Sequence, residues 1–222
     1  MSQAFFTDDF FQFFKDLAAN NNRDWFQANK QRYEQSVKIP FEGFVAEIIK
    51  RVRAENLKVE VEPKQAIFRI YRDIRFSKDK TPYKTYVSAI IAKDGRKGRH
   101  NPGMYLELNP EQIRVYGGIY MPEKDVLYAV REYIANNLKK FEEVINDKGF
   151  KKFYREILGE KNKVIPKEFK EAGEKQPIVY NKAFYYFTEI PLKDITNPKL
   201  ADKVMDAYRA AKPVREFLHK VV

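Results

Sequence analysis

Apolar positions recur every three or four residues along the first fifty-odd residues and again after Pro122, and between these stretches they alternate. Thr7 followed by Asp8 and Asp9 predicts a helix start, with a capping hydroxyl and acids in the first turn. Phe10, Phe13, Phe14 and Leu17 then fall on one stripe. Asn20 to Asn22 ends this helix and caps a second, carrying Trp25, Phe26, Asn29 and Tyr33. Pro40 suits the first position of a third, whose inward face is Phe41, Phe44, Val45, Ile48, Ile49 and Val52.

The period then changes. Val59 to Glu62 and Ala66 to Arg72 alternate as strands do, and Thr85 to Ala92 is apolar enough on both faces for a central strand. Lys93-Asp94-Gly95 opens a turn that widens into the basic loop RKGRHNP. Met104 to Asn109 and Gln112 to Gly117 form a hairpin across Pro110-Glu111, and such short connections favour antiparallel pairing. Beyond Pro122, Val126, Leu127, Val130, Ile134 and Leu138 make a helical stripe, with shorter ones over Phe141 to Ile145 and Phe150 to Leu158. Lys161 to Lys182 reads as a long irregular connection and Phe184 to Ile190 as a further strand. Asn197-Pro198 caps a last helix with Leu200, Val204, Tyr208 and Ala211 inward, which Pro213 kinks or ends. The pattern predicts an α+β fold, a central, largely antiparallel sheet covered by N-terminal and C-terminal helices. It is read as one domain: a helical segment 1–56, a sheet meander 57–120, and a mainly helical segment 121–222 with one strand. The face of the sheet left uncovered is where a binding surface is expected.

Composition adds three points. With 18 Phe and 14 Tyr in 222 residues, the core is built largely on rings. The absence of cysteine excludes a disulfide framework, a zinc ribbon and thiol catalysis, and fits a reducing cytosol. The opening MSQAFFTDDFFQFF has no basic n-region and no cleavage site, so it reads as an amphipathic helix rather than a signal peptide. No run approaches the 18 apolar residues of a membrane span. A soluble cytoplasmic protein with no membrane partner is expected.

The net charge of +11 is local. Between Lys64 and Arg99 eleven Lys and Arg face three Asp, so a sixth of the chain holds most of the excess. Its centre is FRIYRDIRFSKDKTPYK, residues 68–84, with six cations against two acids. If Phe68 to Phe76 is one strand, Phe68, Ile70, Ile74 and Phe76 share one face, and Arg69, Tyr71, Asp73 and Arg75 the other. Arg72 is then on the apolar side, which calls for a bulge or a buried ion pair. An arginine fork matches a carboxylate or phosphate bidentately, while lysine supplies a point charge. Arg69, Arg72 and Arg75 with Lys80 and Lys84 are thus candidates to clasp a phosphate, a sulfate or a polycarboxylate. Ser77 to Pro82 offers a turn with hydroxyl and N–H donors. Asp73 and Asp79 orient the cations, or hold a divalent ion with Glu107. Tyr71, Tyr83, Tyr105 and Tyr116 can stack on a base or sugar.

Two other readings compete. The same charges can form a salt-bridge network with function elsewhere, although the cation surplus wants an anion. Lys93 to Arg99 can act as a basic flap for nucleic acid. No cofactor is implied. With only His100 and His219, a histidine metal site or a Ser-His-Asp triad has no basis, and His100 reads as a solvated loop residue. Asp73, Asp79 and Lys80 are residue types that a nuclease uses, but Asp-Lys adjacency is too common to count as a motif. Gly117-Gly118 lacks the spacing of a dinucleotide fingerprint and marks a bulge or a close backbone approach.

IFRIYRDIRFSKDKTPYK resembles the signature of a widespread, mainly bacterial family known as a conserved domain of unknown function. Phe14, Leu17, Asn20 to Asn22, Trp25-Phe26 and Tyr33 are similar to its opening. Gly103-Met104-Tyr105, Pro110, Gly117-Gly118 and Met121-Pro122 match a second block, with Met104 where the family carries an aromatic. Pro166, Phe169, Pro177 and Lys182 to Phe184 match a third. The resemblance implies a full-length member and supplies no activity, so function has to be read from the site.

Overall fold

Aromatic side chains of the first helices set the N-terminal part of the fold. The computed structural model describes residues 4–56, 59–97 and 103–221. Helices α1 (Asp9–Ala19), α2 (Arg23–Ala28) and α3 (Lys30–Tyr33) lead through a π-helical turn, Glu34–Lys38, into α4 (Ile39–Glu55). Pro40 sits in the first turn of α4, directly after the π-helical turn. Phe10, Phe13, Phe14 and Leu17 are fully buried, as their spacing predicts. Phe13 alone meets the rings of Phe14, Trp25, Phe26 and Tyr33. On the outside, Arg32 ties α3 to α1 through Asp9 and Asp16. Each buried ring is worth about 1.5–3 kcal/mol, whereas partly exposed ion pairs contribute about 0–1 kcal/mol each. The ring stripe, not the charges, holds these helices.

The sheet has β1 (Val87–Ile91), β2 (Met104–Leu108), β3 (Ile113–Ile119) and β4 (Phe184–Ile190), hydrogen-bonded in that order. The chain has the α+β fold that its pattern predicts. The β2–β3 hairpin turns at Asn109, whose Oδ1 accepts from the N–H groups of Glu111 and Gln112 at 2.8 and 2.9 Å. Two expectations for the sheet fail. First, β1 is an end strand and not a central one. Its apolar faces are explained by α4 and by a four-residue helix, α5 (Pro63–Ala66), both packed against it. Second, 59–62 and 66–72 are not strands. The Gln65 side chain reaches back to the Glu62 N–H at 2.9 Å, a capping box with Pro63 in the first turn. The box starts a short helix between the two segments expected as strands.

By its internal contacts the chain divides into two compact units. The first comprises the described residues within Met1–Arg96, Tyr105–Val115 and Glu189–Met205, the second those within Lys97–Met104, Tyr116–Thr188 and Asp206–Val222. The second contains α6 (Lys124–Asn136), α7 (Leu138–Ile145), α8 (Lys148–Tyr154), α9 (Lys170–Lys175), the end of α10 (Leu200–Ala210) and α11 (Lys212–Leu218). Phe150 and Tyr154 of α8 pack their rings on Tyr186 of β4 at 5.1 and 4.8 Å, and the Tyr154 hydroxyl donates to Ala207 O. Pro213 ends one helix and starts the next, as expected. The 161–182 connection is more regular than its composition suggests. It winds through 3₁₀ turns at Lys167–Phe169 and Pro177–Tyr180 around α9. Buried Arg131 pins it by donating to Val179 O and Asn181 O, both at 3.0 Å. Among the described residues no helix is long and apolar enough to cross a membrane.

Candidate functional site

The motif is an irregular hairpin, not a strand. Ile67 bridges Ala89, and the Phe68 N–H donates to Ser88 O at 2.9 Å, extending the pairing past β1. Further out, Tyr71 faces Tyr83 in an isolated antiparallel bridge. Lys84 N–H to Ile70 O (2.8 Å) and Arg72 N–H to Pro82 O (2.9 Å) flank it. Pro82 has no N–H to carry the ladder further. Residues 73–81 therefore form a tip folded on side-chain bonds; exposure still alternates as expected from Arg69 to Arg75, and the two-faced division fails at Phe76. Phe76 is 95% exposed.

Arg72 resolves the phase conflict by an ion pair, without a bulge. Its half-buried guanidinium donates through Nη1 to Asp79 and to the Thr81 hydroxyl. Among the described residues Nη2 reaches only Ser77 Oγ, at 3.5 Å, the limit of a hydrogen bond. Asp79 also accepts from the Thr81 N–H at 2.9 Å. Asp73 points outward, gripped by the Arg75 fork at 2.9 and 2.7 Å. Lys80 Nζ donates to Ile74 O at 2.9 Å. The Thr81 N–H, then Arg72, hold the Asp79 carboxyl down at about 2, and Arg75 holds Asp73 at about 2.

The base of the hairpin is fixed by residues from the corner between α1 and α2. The Asn21 side chain both accepts from the Tyr83 N–H (3.1 Å) and donates to Tyr83 O (2.9 Å). Phe26 stacks on the Tyr83 ring at 4.0 Å between centroids and 16° between planes. Sequence reasoning assigns Asn21 only to a helix end; nothing local signals a partner 62 residues away. Thr85 and Tyr86 also escape it, whereas Thr81 lies in the turn expected to offer hydroxyl and N–H donors.

Between hairpin and helix corner lies a concavity of about 550 Å³, lined by Ala18, Asn21, Arg72, Asp73, Asp79, Thr81, Tyr83, Lys84, Thr85 and Tyr86. A smaller one, about 390 Å³, involves Arg23, Gln27, Tyr71, Arg72, Ile74, Pro82 and Tyr83. Of the sequence candidates, Arg72, Asp73, Asp79, Tyr83 and Lys84 thus line one wall, with Tyr71 at the neighbouring hollow and Ser77 on Arg72. Arg69, Arg75, Lys80 and Tyr105 do not line either. Tyr105 is edge-on to Phe68 at 6.0 Å and donates its hydroxyl to Glu107 at 3.1 Å. Burial pushes its phenol up. Tyr116 packs on Phe187 in the second unit.

Arg72 and Lys84 are the half-buried cations of the motif, and Arg72 is paired; Lys84 is not. Its ammonium lies 5.5 Å from the Phe68 ring centroid and 5.6 Å from that of Tyr86, and it has no hydrogen bond or ion pair among the described residues. Burial, then the charge of Arg69, pushes its pKa down, and Glu107 opposes this. Glu107 itself accepts from Tyr105 and from Gln112 (3.1 Å). Asp73, Asp79 and Glu107 each have such partners, and no group of three metal-ligating side chains is gathered among the described residues. Of the basic flap, Arg96 donates to Gln65 O and Lys64 O at 3.0 and 2.8 Å. Arg99 and His100 lie outside the described residues.

The profile of a conserved hypothetical protein family, DUF2461, matches residues 9–217. The chain belongs to this family. No curated protein and no solved structure matches it. The DUF2461 match takes in every residue of the hairpin, Asn21 and Phe26, but the description attached to it names no activity.

The carboxyl shifts give a pH prediction. A carboxyl whose folded pKa is depressed contributes order that is complete above its ordinary value and lost as pH falls through the folded one. Asp79 should therefore keep its bond to Thr81 down to about pH 2, where an ordinary carboxyl would release it near 3.8. The Thr81 amide resonance, followed by NMR during acid titration, is expected to move with a midpoint near the lower value. A midpoint near 3.8 would show that the tip is not held this way.

Proposed function

We propose that the concavity beside the hairpin binds a small molecule bearing a phosphate or carboxylate. The observation that carries this reading is Lys84. Lys84 is half-buried at the wall of the concavity; a lysine drawn from water gains from an anionic partner, and this one has two rings for neighbours and no acid in contact among the described residues. An anion in the concavity would supply the missing partner. Arg72 Nη2, with only its long contact to Ser77, supports it with a second donor. The salt-bridge reading accounts for Arg75, Lys80, Asp73 and Asp79, which fix the tip; it leaves over Lys84 and two cations that are exposed to solvent, Arg69 and Lys78. The cytoplasmic setting expected from the composition stays part of this reading.

The test is thermal stability against a panel of inorganic phosphate, nucleotides, sugar phosphates and small carboxylates at millimolar concentration. A ligand at a hundred times its Kd adds about 2.7 kcal/mol. Lys84→Met should lose the stabilisation, while Arg75→Ala and Lys80→Ala keep it. If nothing in the panel stabilises the protein, the reading is wrong. Retention of RNA or DNA that weakens steeply with salt, without any small-molecule effect, would favour nucleic acid instead. Arg96 counts against that outcome, because its guanidinium is occupied by carbonyls of α5.

A further inference from the structure

Lysine is a weak nucleophile while protonated, and two kinds of surroundings release the free amine: apolar walls and a neighbouring cation. Half-buried Lys84 has a measure of both, with the rings of Phe68 and Tyr86 near its ammonium and the Arg69 charge acting on it. It also lines a concavity large enough for a small metabolite. A lysine that merely covers apolar surface sends its head group to water or to an acid. Lys84 places its ammonium near two rings at the wall of the concavity, with no hydrogen-bond partner among the described residues.

We propose that Lys84 is a nucleophile that condenses with the carbonyl carbon of a small oxo acid bound in this concavity. The proposal rests on the anion-binding reading and narrows its ligand to a class. The free amine of Lys84 attacks the carbonyl carbon, forming the C–N bond while the C=O π pair moves to oxygen, which is protonated to a carbinolamine. The nitrogen lone pair then expels that oxygen as water. The balance is one ammonium and one carbonyl giving one protonated imine and one water, with protons exchanged with solvent and no oxidant or reductant consumed. The imine keeps a positive charge at the same place, so the carboxylate of the oxo acid does not lose its partner. Arg72 Nη2 is the donor left to orient that carboxylate.

The experiment treats the whole chain with pyruvate or glyoxylate and sodium cyanoborohydride, and locates the reduced adduct by peptide mass spectrometry. The Lys84 peptide is expected to be labelled first and ahead of every other lysine, and this preference should vanish in urea. Thermal shifts with lactate, which has the carboxylate but no carbonyl, run in parallel. Lys84→Arg should keep the lactate shift and lose the adduct. Stabilisation by lactate and pyruvate with no Lys84 adduct overturns the nucleophile and leaves anion binding standing. Neither stabilisation nor adduct removes both. Uniform labelling of the lysines, or labelling that persists in urea, also overturns the proposal.

Discussion

Replacing Gly118 with alanine is expected to lower the unfolding free energy by about 3–5 kcal/mol. Gly118 holds φ at +95° in β3, and a Cβ built on it would fall 2.2 Å from Phe184 O and 2.8 Å from Tyr185 Cα in β4. Both contacts are with backbone, so no rotamer change relieves them. Two costs therefore combine: the disfavoured backbone angle, and the separation of two hydrogen-bonded strands. Against a total stability of about 5–15 kcal/mol for an ordinary domain, this is enough to leave much of the protein unfolded. Gly43, in the exposed face of α4, is the control. A Cβ there would meet only Phe5 Cδ1, at 3.9 Å, and Gly43→Ala should stabilise by about 0.5–1 kcal/mol through helix propensity. Urea unfolding of both variants checks the pair. A loss below about 1 kcal/mol for Gly118→Ala would mean that β3 and β4 part there without strain.

Phe26→Ala is expected to cost about 3–5 kcal/mol as well, and its effect should be felt at the site. Phe26 is buried, stacked on Tyr83, tilted against Tyr33 at 5.1 Å and edge-on to Phe13 at 6.4 Å. Its removal leaves a cavity between α2 and the hairpin, and takes from Tyr83 the ring that sets its plane. Phe26→Leu keeps most of the volume and should cost less than about 1.5 kcal/mol. Hydrogen exchange separates a local from a general effect. The Tyr83 amide, held by Asn21, should exchange faster in Phe26→Ala by more than global destabilisation accounts for. Exchange that only follows global stability would place Phe26 in the helical core and outside the support of the site.

The contrast between these regions explains what could be read in advance. The stripe of Phe10, Phe13, Phe14 and Leu17 is legible because a helix repeats its geometry every few residues, and burial follows that repeat. β4 was legible at its observed bounds for the same reason, with period two. The close backbone approach expected at Gly117-Gly118 is there at Gly118, since only a missing side chain permits it. The hairpin resisted because its conformation is set by single contacts from elsewhere. Alternation from Phe68 to Phe76 presumes a ladder on at least one side, and Pro82 and the Asp79–Arg72 pair interrupt it. The α5 capping box at Glu62-Pro63 and Gln65 was present in the sequence, between the two alternating segments, and starts a helix there. For the site, the charged composition marked the right segment. It did not separate cations spent on the tip from Lys84, because that depends on which acids lie within about 4 Å.

The clamp of Asn21 on Tyr83 has a consequence for how the hairpin is held. In the Tyr71–Tyr83 bridge the flanking bonds run inward, and the Tyr83 N–H and C=O turn the other way, to the Asn21 side chain. Tyr83 is buried, and a buried backbone group left without a partner costs about 1–3 kcal/mol. One amide side chain, 62 residues away in the chain, thus satisfies both groups at once.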